Sequence, residues 1–324
     1  MSTLTVTDIP LDRGSSAQRL RRMAAAVRVH FTWWGTHKTL TNQQKEEVGI
    51  AHSADSRLLT AGKKLIDTRH DAFRKLTSLR TRVINYWRGT TLPFTEPGIR
   101  LLRQSDVEIF VHAMQGFREE LHEAELDLNA AFDQIKQDAR QRLGRLYDPH
   151  DYPDIIRSLF DVSWDFPTIE PPSYLMRISP ENYQQEQERV ARQFSQAVEL
   201  AEQAFIGEFT KLVGHLAQRL QDDGTGERKV FRDTAVTNLL EFFERFRHLS
   251  IRSNDDLEKL VEQAQDLVRG VQPQTLRTND QVRLQIAEQM GQVQNSLDSM
   301  LVDRPRRRIL RLPTEGGADH DPNR

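Results

Sequence analysis

Apolar positions recur along most of this chain at helical spacing. From Ser16 to His30, the residues Leu20, Met23 and Val27, with Phe31 just beyond, share one helical face, which predicts a short basic helix. The segment Thr32-Trp33-Trp34-Gly35-Thr36-His37 breaks that pattern. A first long helix is expected from Thr41, because Thr41 and Gln44 have the spacing of a capping box. Its stripe runs through Ala51, Leu58, Leu65, Ala72, Leu79 and Tyr86 at seven-residue steps and stops at Gly89. At about 1.5 Å per residue such a helix is on the order of 65 Å long.

A second long helix is expected from Ser105, with Glu108 completing another capping box, to about Gly144. Val107, Met114, Leu121, Leu128 and Ile135 alternate there with Phe110, Phe117, Ala124 and Ala131, the spacing of knobs-into-holes packing. A third starts after Pro180 and carries Val190, Phe194, Val198, Ala201, Phe205, Phe209, Leu212, Leu216 and Leu220 to a stop at Asp222-Asp223-Gly224. Val198, Phe209 and Leu220 lie eleven residues apart, which predicts a straight or slightly right-handed helix. Shorter helical patterns follow at 232–249, 254–269 and 279–302, and Phe242, Phe243 and Phe246 fall at core spacing in the first of them. The stretch 145–180 holds six prolines with Tyr147, Tyr152, Phe160, Trp164, Phe166 and Tyr174. There a small ordered cap is expected, with a short helix near Pro153–Phe160 and a strand at Tyr174–Ile178.

The fold class that follows is all-α in the main: an elongated antiparallel bundle of three long coiled-coil-like helices, a small irregular cap and a C-terminal set of shorter helices. The expected organisation is a disordered stretch at 1–14, the bundle at 15–222 with its cap at 145–180, a helical region at 228–303, and a basic then flexible tail at 304–324. In an antiparallel bundle the Trp33-Trp34 segment and the 145–180 connector fall at the same end, so the two aromatic segments should meet. Trp33, Trp34, His37, Trp164, Phe166 and Tyr174 are therefore the candidate partner-binding residues. The competing reading is a mutually packed hydrophobic plug.

Composition fits long, wet helices: 37% of the 324 residues are hydrophobic, 28% are charged, and mean hydropathy is -0.63. The net charge of -2 supplies no global basic field for nucleic acid, although local patches exist. Arg21, Arg22 and Lys38 lie beside the tryptophans, and Arg306, Arg307 and Arg308 lie in the tail; these are the candidate nucleic-acid-binding residues. The absence of cysteine excludes disulfides, thiol catalysis and cysteine-ligated zinc. No secretory pattern opens the chain and no apolar run is long enough to span a bilayer, so a cytoplasmic location is expected.

No motif carries chemistry. A phosphate loop is missing, and Asp223-Gly224-Thr225-Gly226 follows no strand. Glu119 and His122 have di-iron spacing, but they fall on the outer face and have no second copy, so no metal is expected. Asp148, His150, Asp151 and Asp154 are interleaved with Pro149 and Pro153, which explain them as turn residues. No serine, histidine and acid form a nucleophilic arrangement, so no catalytic residue and no cofactor are assigned.

Three stretches resemble a bacterial and phage family classed only as a domain of unknown function: Thr32-Trp33-Trp34-Gly35-Thr36-His37-Lys38, Asn238-Leu239-Leu240-Glu241-Phe242-Phe243-Glu244-Arg245-Phe246, and Val302-Asp303-Arg304-Pro305-Arg306-Arg307-Arg308. The likeness covers most of the chain. Such proteins are often encoded near a MoxR-like AAA+ ATPase and a von Willebrand A-type protein. The resemblance implies a non-enzymatic adaptor or accessory role, in a mobile element, with an AAA+ ATPase as partner. It carries over no catalytic residues. The second expectation is a nucleic-acid-binding accessory protein, and assembly with a second copy is compatible with either.

Overall fold

A computed structural model describes residues 14–220, 233–271 and 273–302. The 1–14 stretch apart from Gly14, the stop at Asp222-Asp223-Gly224 and its turn, and the tail with Arg306, Arg307 and Arg308 lie outside the described residues. The fold is mainly helical and includes a four-stranded sheet. The chain divides into two compact units, Met1–Ala201 with Arg245–Ser253, and Glu202–Glu244 with Asn254–Arg324.

The first unit opens with helix α1, Ser16–Met23, whose capping box is closed by Ser15 and Gln18. The chain then becomes strand β1, Ala24–Trp33, and the helix expected through His30 ends at Met23. The cause is a second period in the same residues. Val27, Val29, Phe31 and Trp33 alternate with Arg28, His30 and Thr32, and β-branched and aromatic residues favour the pleated form.

Strand β2 is His37–Thr39, and helix α2, Asn42–Ala51, follows the Thr41/Gln44 capping box. The expected first long helix does not continue beyond Ala51. Ser53 has a φ of 51°, and strand β3, Gly62–Lys64, pairs with β2. Helix α3 begins only at Asp71 and runs to Thr90. Short polar side chains break the pattern by bonding local backbone. Asp55 accepts from Arg57 N–H, Asp67 from Arg69 N–H, and His70 Nδ1 from Ala72 N–H. Gly49 is fixed by the reversal, because a Cβ there would stand 2.8 Å from the Ala54 carbonyl oxygen. Leu58, a heptad position in the sequence reading, is instead exposed.

Strands β4, Thr91–Pro93, and β5, Ile99–Arg103, form a hairpin. Helix α4, Val107–Leu143, is the expected second long helix, and it buries Phe110, Met114, Leu121, Ala124, Leu128 and Ile135. Its expected Ser105/Glu108 capping box is absent, because Ser105 Oγ instead donates to Asp106 within a preceding turn. Ion pairs Lys75–Asp127 and Arg82–Glu120 show that α3 and α4 run antiparallel, since one number rises as the other falls.

The connector reverses its expected elements. Strand β6, Phe160–Asp165, forms where the helix was expected to end, and a short helix α5, Leu175–Ile178, replaces the expected strand. Phe160, Val162 and Trp164 alternate with Asp161, Ser163 and Asp165, whereas Leu175-Met176-Arg177-Ile178 follows two prolines and is rich in helix formers. The antiparallel sheet has the order β4-β5-β1-β6. One face carries Val27, Leu102, Phe160 and Val162 into the core formed with α3 and α4. Ala26, Leu92, Ile99 and Leu101, on the opposite face, are buried as well.

Helix α6, Pro180–Leu220, is the third expected helix, so two of the three long helices form and the first is replaced by α2, β3 and α3. The division between the units falls inside α6, before the boundary expected at residue 222. In the second unit lie the end of α6, most of α7 (Thr234–Leu249), α8 (Asp255–Val268), α9 (Pro273–Thr278) and α10 (Asp280–Val302). Phe209 stacks on Phe242 at 5.0 Å and meets Phe243 edge-on at 6.1 Å. A Cβ at Gly214 would lie 3.2 Å from Gln294 Nε2, so α6 and α10 approach closely there.

One buried polar group ties α4 to the sheet. Glu125 Oε1 accepts from the backbone N–H of Leu159 at 3.0 Å and of Phe160 at 3.2 Å, at the entry to β6. Replacing Glu125 by Ala orphans one buried and one half-buried donor and should lower the stability of the first unit by about 3 kcal/mol. Glu125→Gln keeps an acceptor and should cost about 1 kcal/mol. Urea unfolding of both variants checks the difference, and faster amide exchange at Phe160 in the Ala variant alone locates it.

Candidate interaction surface

The two aromatic segments meet as neighbouring strands. Trp33 stands opposite Phe160, Phe31 opposite Val162 and Val29 opposite Trp164. Trp33 meets Phe160 edge-on at 4.9 Å, and the Arg80 guanidinium lies 4.7 Å over the Trp33 ring. Trp34 packs edge-on against Phe132 at 6.0 Å and beside Tyr152 at 6.5 Å. Trp33, Trp34 and Trp164 are thus partly buried against the core of the sheet, not free anchors on an irregular cap. That is the arrangement of the packed plug. His37 stays exposed on β2.

Lys38 is drawn into a buried charge cluster. Its Nζ donates to Asp151, whose other oxygen lies 2.5 Å from Lys63 Nζ, and Lys63 also donates to the Leu146 carbonyl at 2.6 Å. The Asp151 side chain is only 2% exposed. Burial pushes its carboxyl up, but hydrogen bonds from Lys38 and Lys63 outweigh burial and hold it below the usual range. Next to it the Tyr152 hydroxyl donates to Leu65 O at 2.8 Å, and burial raises this phenol to about 12. The cluster locks the paired strands β2 and β3 to the Pro149–Asp151 turn. Asp148 closes that turn, accepting from His150 N–H at 3.0 Å, in keeping with turn chemistry. Nothing in the sequence spacing pointed to Asp151 as a hub, because its partners lie about a hundred residues away.

The remaining aromatic candidates lie elsewhere. Phe166 and Tyr174 are exposed, and so are Met176 and Ile178, the last by 76%. Leu175 alone in that turn is half-buried. Tyr174 and Ile178 are four residues apart and share one face of the turn. The segment is anchored nonetheless. Arg21 on α1 forms a two-pronged pair with Glu170, and Arg28 on β1 forms another with Asp165, which also accepts from His30. The Arg21 fork holds the Glu170 carboxyl below its usual range, and the Arg28 fork does so for Asp165. A cleft of 510 Å³ runs along this segment, lined by Ile169, Pro172 and Leu175 on one side and by Gln185 and Arg189 of α6 on the other. Met176 and Ile178 went unrecognised in the sequence because a strand was expected there.

Arg22 is exposed on α1. Among the described residues no group of three or more His, Asp or Glu side chains is placed to hold a metal ion, and His122 sits 3.6 Å from Glu125. Among the same residues no helix is long and apolar enough to cross a membrane.

Asp151→Ala leaves Lys63 buried without its counter-charge and should cost on the order of 3 kcal/mol. Lys38→Ala, whose ammonium is half exposed, should change the unfolding midpoint little. The depressed Asp151 carboxyl has its stabilising effect in full above its ordinary value of 3.8 and loses it as the pH falls through its lower folded-state value. Acid unfolding of the wild type should therefore have a component at low pH that Asp151→Asn lacks, read by tryptophan fluorescence.

No family model, no curated protein and no solved structure matches this chain.

Proposed function

We propose that this chain is a non-enzymatic helical scaffold or adaptor that works by protein–protein contact through the connector between β6 and α6. The observation that carries this reading is the exposure of Phe166, Tyr174, Met176 and Ile178 on a segment tethered by the Arg21–Glu170 pair. Large apolar side chains held outward on an ordered support favour a partner that buries them, and aromatic residues supply much of the energy at such contacts. An AAA+ ATPase is the partner suggested by the family resemblance and the first to test. A cytoplasmic site of action belongs to the same proposal and is supported by the lack of cysteine.

Nucleic-acid binding has less support. Two of its candidate cations, Arg21 and Lys38, are held by Glu170 and Asp151 and would have to give up those carboxylates to reach a phosphate.

Affinity purification of the wild type beside a Tyr174→Ser/Ile178→Ser double variant tests the reading. Both side chains are exposed, so melting should be unchanged while a captured partner is lost. Retention of the same partner by the double variant would sink this surface. Fluorescence anisotropy with single- and double-stranded DNA is the second arm. Tight binding that weakens steeply with salt would replace the adaptor reading with the nucleic-acid one.

A further inference from the structure

We infer that the cleft between the Lys64–His70 turn and the last turns of α4 is a binding site for a small amphipathic anion. The apolar body would lie along α4, and a single carboxylate would meet Lys64. The cleft has a volume of 640 Å³, within the range of about 300–1,000 Å³ typical of small-molecule sites. It belongs to the first unit alone and shares no lining residue with the connector surface.

Its chemistry is split. Leu65, Ile66, Ile135 and Ala139 line it, and each is buried beneath the surface while still facing this open space; Leu143 adds to the same wall. An apolar wall of this kind excludes a bare hydrated ion and favours a hydrocarbon chain or ring. The polar side is cationic on balance. Lys64, Arg69 and Arg142 line it against Asp67 and Asp138.

Both carboxylates are already engaged. Asp67 accepts from Arg69 N–H at 2.9 Å and Arg142 Nη1 at 2.6 Å, and Asp138 accepts from Gln134 Nε2 at 2.9 Å. The Lys64 ammonium has no hydrogen bond or ion pair among the described residues, and the Thr68 hydroxyl has none either. His70 spends Nδ1 on Ala72 N–H, so its ring proton sits on Nε2 as a further donor. Three donors without acceptors therefore border an apolar wall. A carboxylate supplies acceptors for them and complements the charge, whereas a neutral alcohol leaves the Lys64 charge unanswered.

Octanoate is a suitable probe, with 1-octanol and inorganic phosphate as controls. Titration calorimetry on the full chain should show octanoate binding about tenfold more tightly than octanol, the worth of one charge-assisted contact, and no heat with phosphate. Methyl spectra labelled at isoleucine should shift at Ile66 and Ile135 and not at the exposed Ile178. Lys64→Gln, an exposed position that cannot disturb the core, should weaken octanoate about tenfold and leave octanol unchanged. Ala139→Leu narrows the cleft and should weaken both ligands. Several results would overturn the inference: no octanoate binding at millimolar concentration, phosphate binding as tightly as octanoate, shifts at Ile178 instead of Ile66 and Ile135, or equal octanoate affinity in wild type and Lys64→Gln. Because Tyr174→Ser/Ile178→Ser leaves this cleft intact, octanoate binding in that variant separates the site from the connector surface.

Discussion

Pairing of Ala24–Trp33 with Phe160–Asp165 is the constraint on which the first unit depends. The two strands are far apart in sequence, with Arg28 and Asp165 separated by 137 residues. Closing a loop of that length costs about 4 kcal/mol in chain entropy. Complete burial of Val27 and Val162, with Phe160 nearly so, contributes roughly 1.5–3 kcal/mol per side chain and outweighs that cost. The pairing exists because α3 and α4 present an apolar surface for its inner face. Neither the helix pair nor the sheet could bury its stripe alone. Glu125 makes the two halves interdependent, since it sits in the middle of α4 and satisfies backbone donors where β6 begins.

Where the sequence was legible, one period dominated. The span of α4 holds heptad positions over 37 residues with no competing alternation, and α6, α7, α8 and α10 likewise carry a single helical period. Where it was illegible, two periods overlapped. Leu20, Met23, Val27 and Phe31 fit a helix, yet Val27, Val29, Phe31 and Trp33 fit a strand equally well. The tie was broken by a partner strand more than a hundred residues away, which no local pattern contains. In the stretch after Ala51 the apolar residues at seven-residue steps are interrupted by Asp55, Asp67 and His70, whose side chains bond local backbone and end the helix.

The candidate site was legible in composition and not in geometry. Both segments are rich in aromatics, and a bundle of three long helices would bring them to one end, but the first of those helices does not form. They meet through strand pairing, and this changes what their residues do. A tryptophan in a strand facing a helix pair becomes packing, as Trp33 does over Phe160 and under Arg80. Phe166 and Tyr174 lie beyond the strand's end, where the sheet no longer buries them.

The basic N-terminal stretch shows why charge pattern alone misleads. Arg19 donates to the carbonyls of Gly14, Ile251 and Arg252, Arg21 grips Glu170, and Arg28 grips Asp165. Each uses the planar fork of the guanidinium, which a lysine could not reproduce. In sequence these arginines look like a phosphate-binding cluster, because their acceptors are remote. In the fold they are tethers, and two of them fasten the connector at residues 165 and 170. The apolar side chains that follow are exposed on a segment tied to the sheet and to α1, so their exposure is a built property of the fold. A loose connector could turn Phe166, Tyr174, Met176 and Ile178 inward against the nearest apolar surface. The forks oppose that collapse, because releasing either one leaves a guanidinium and a carboxylate without their partners.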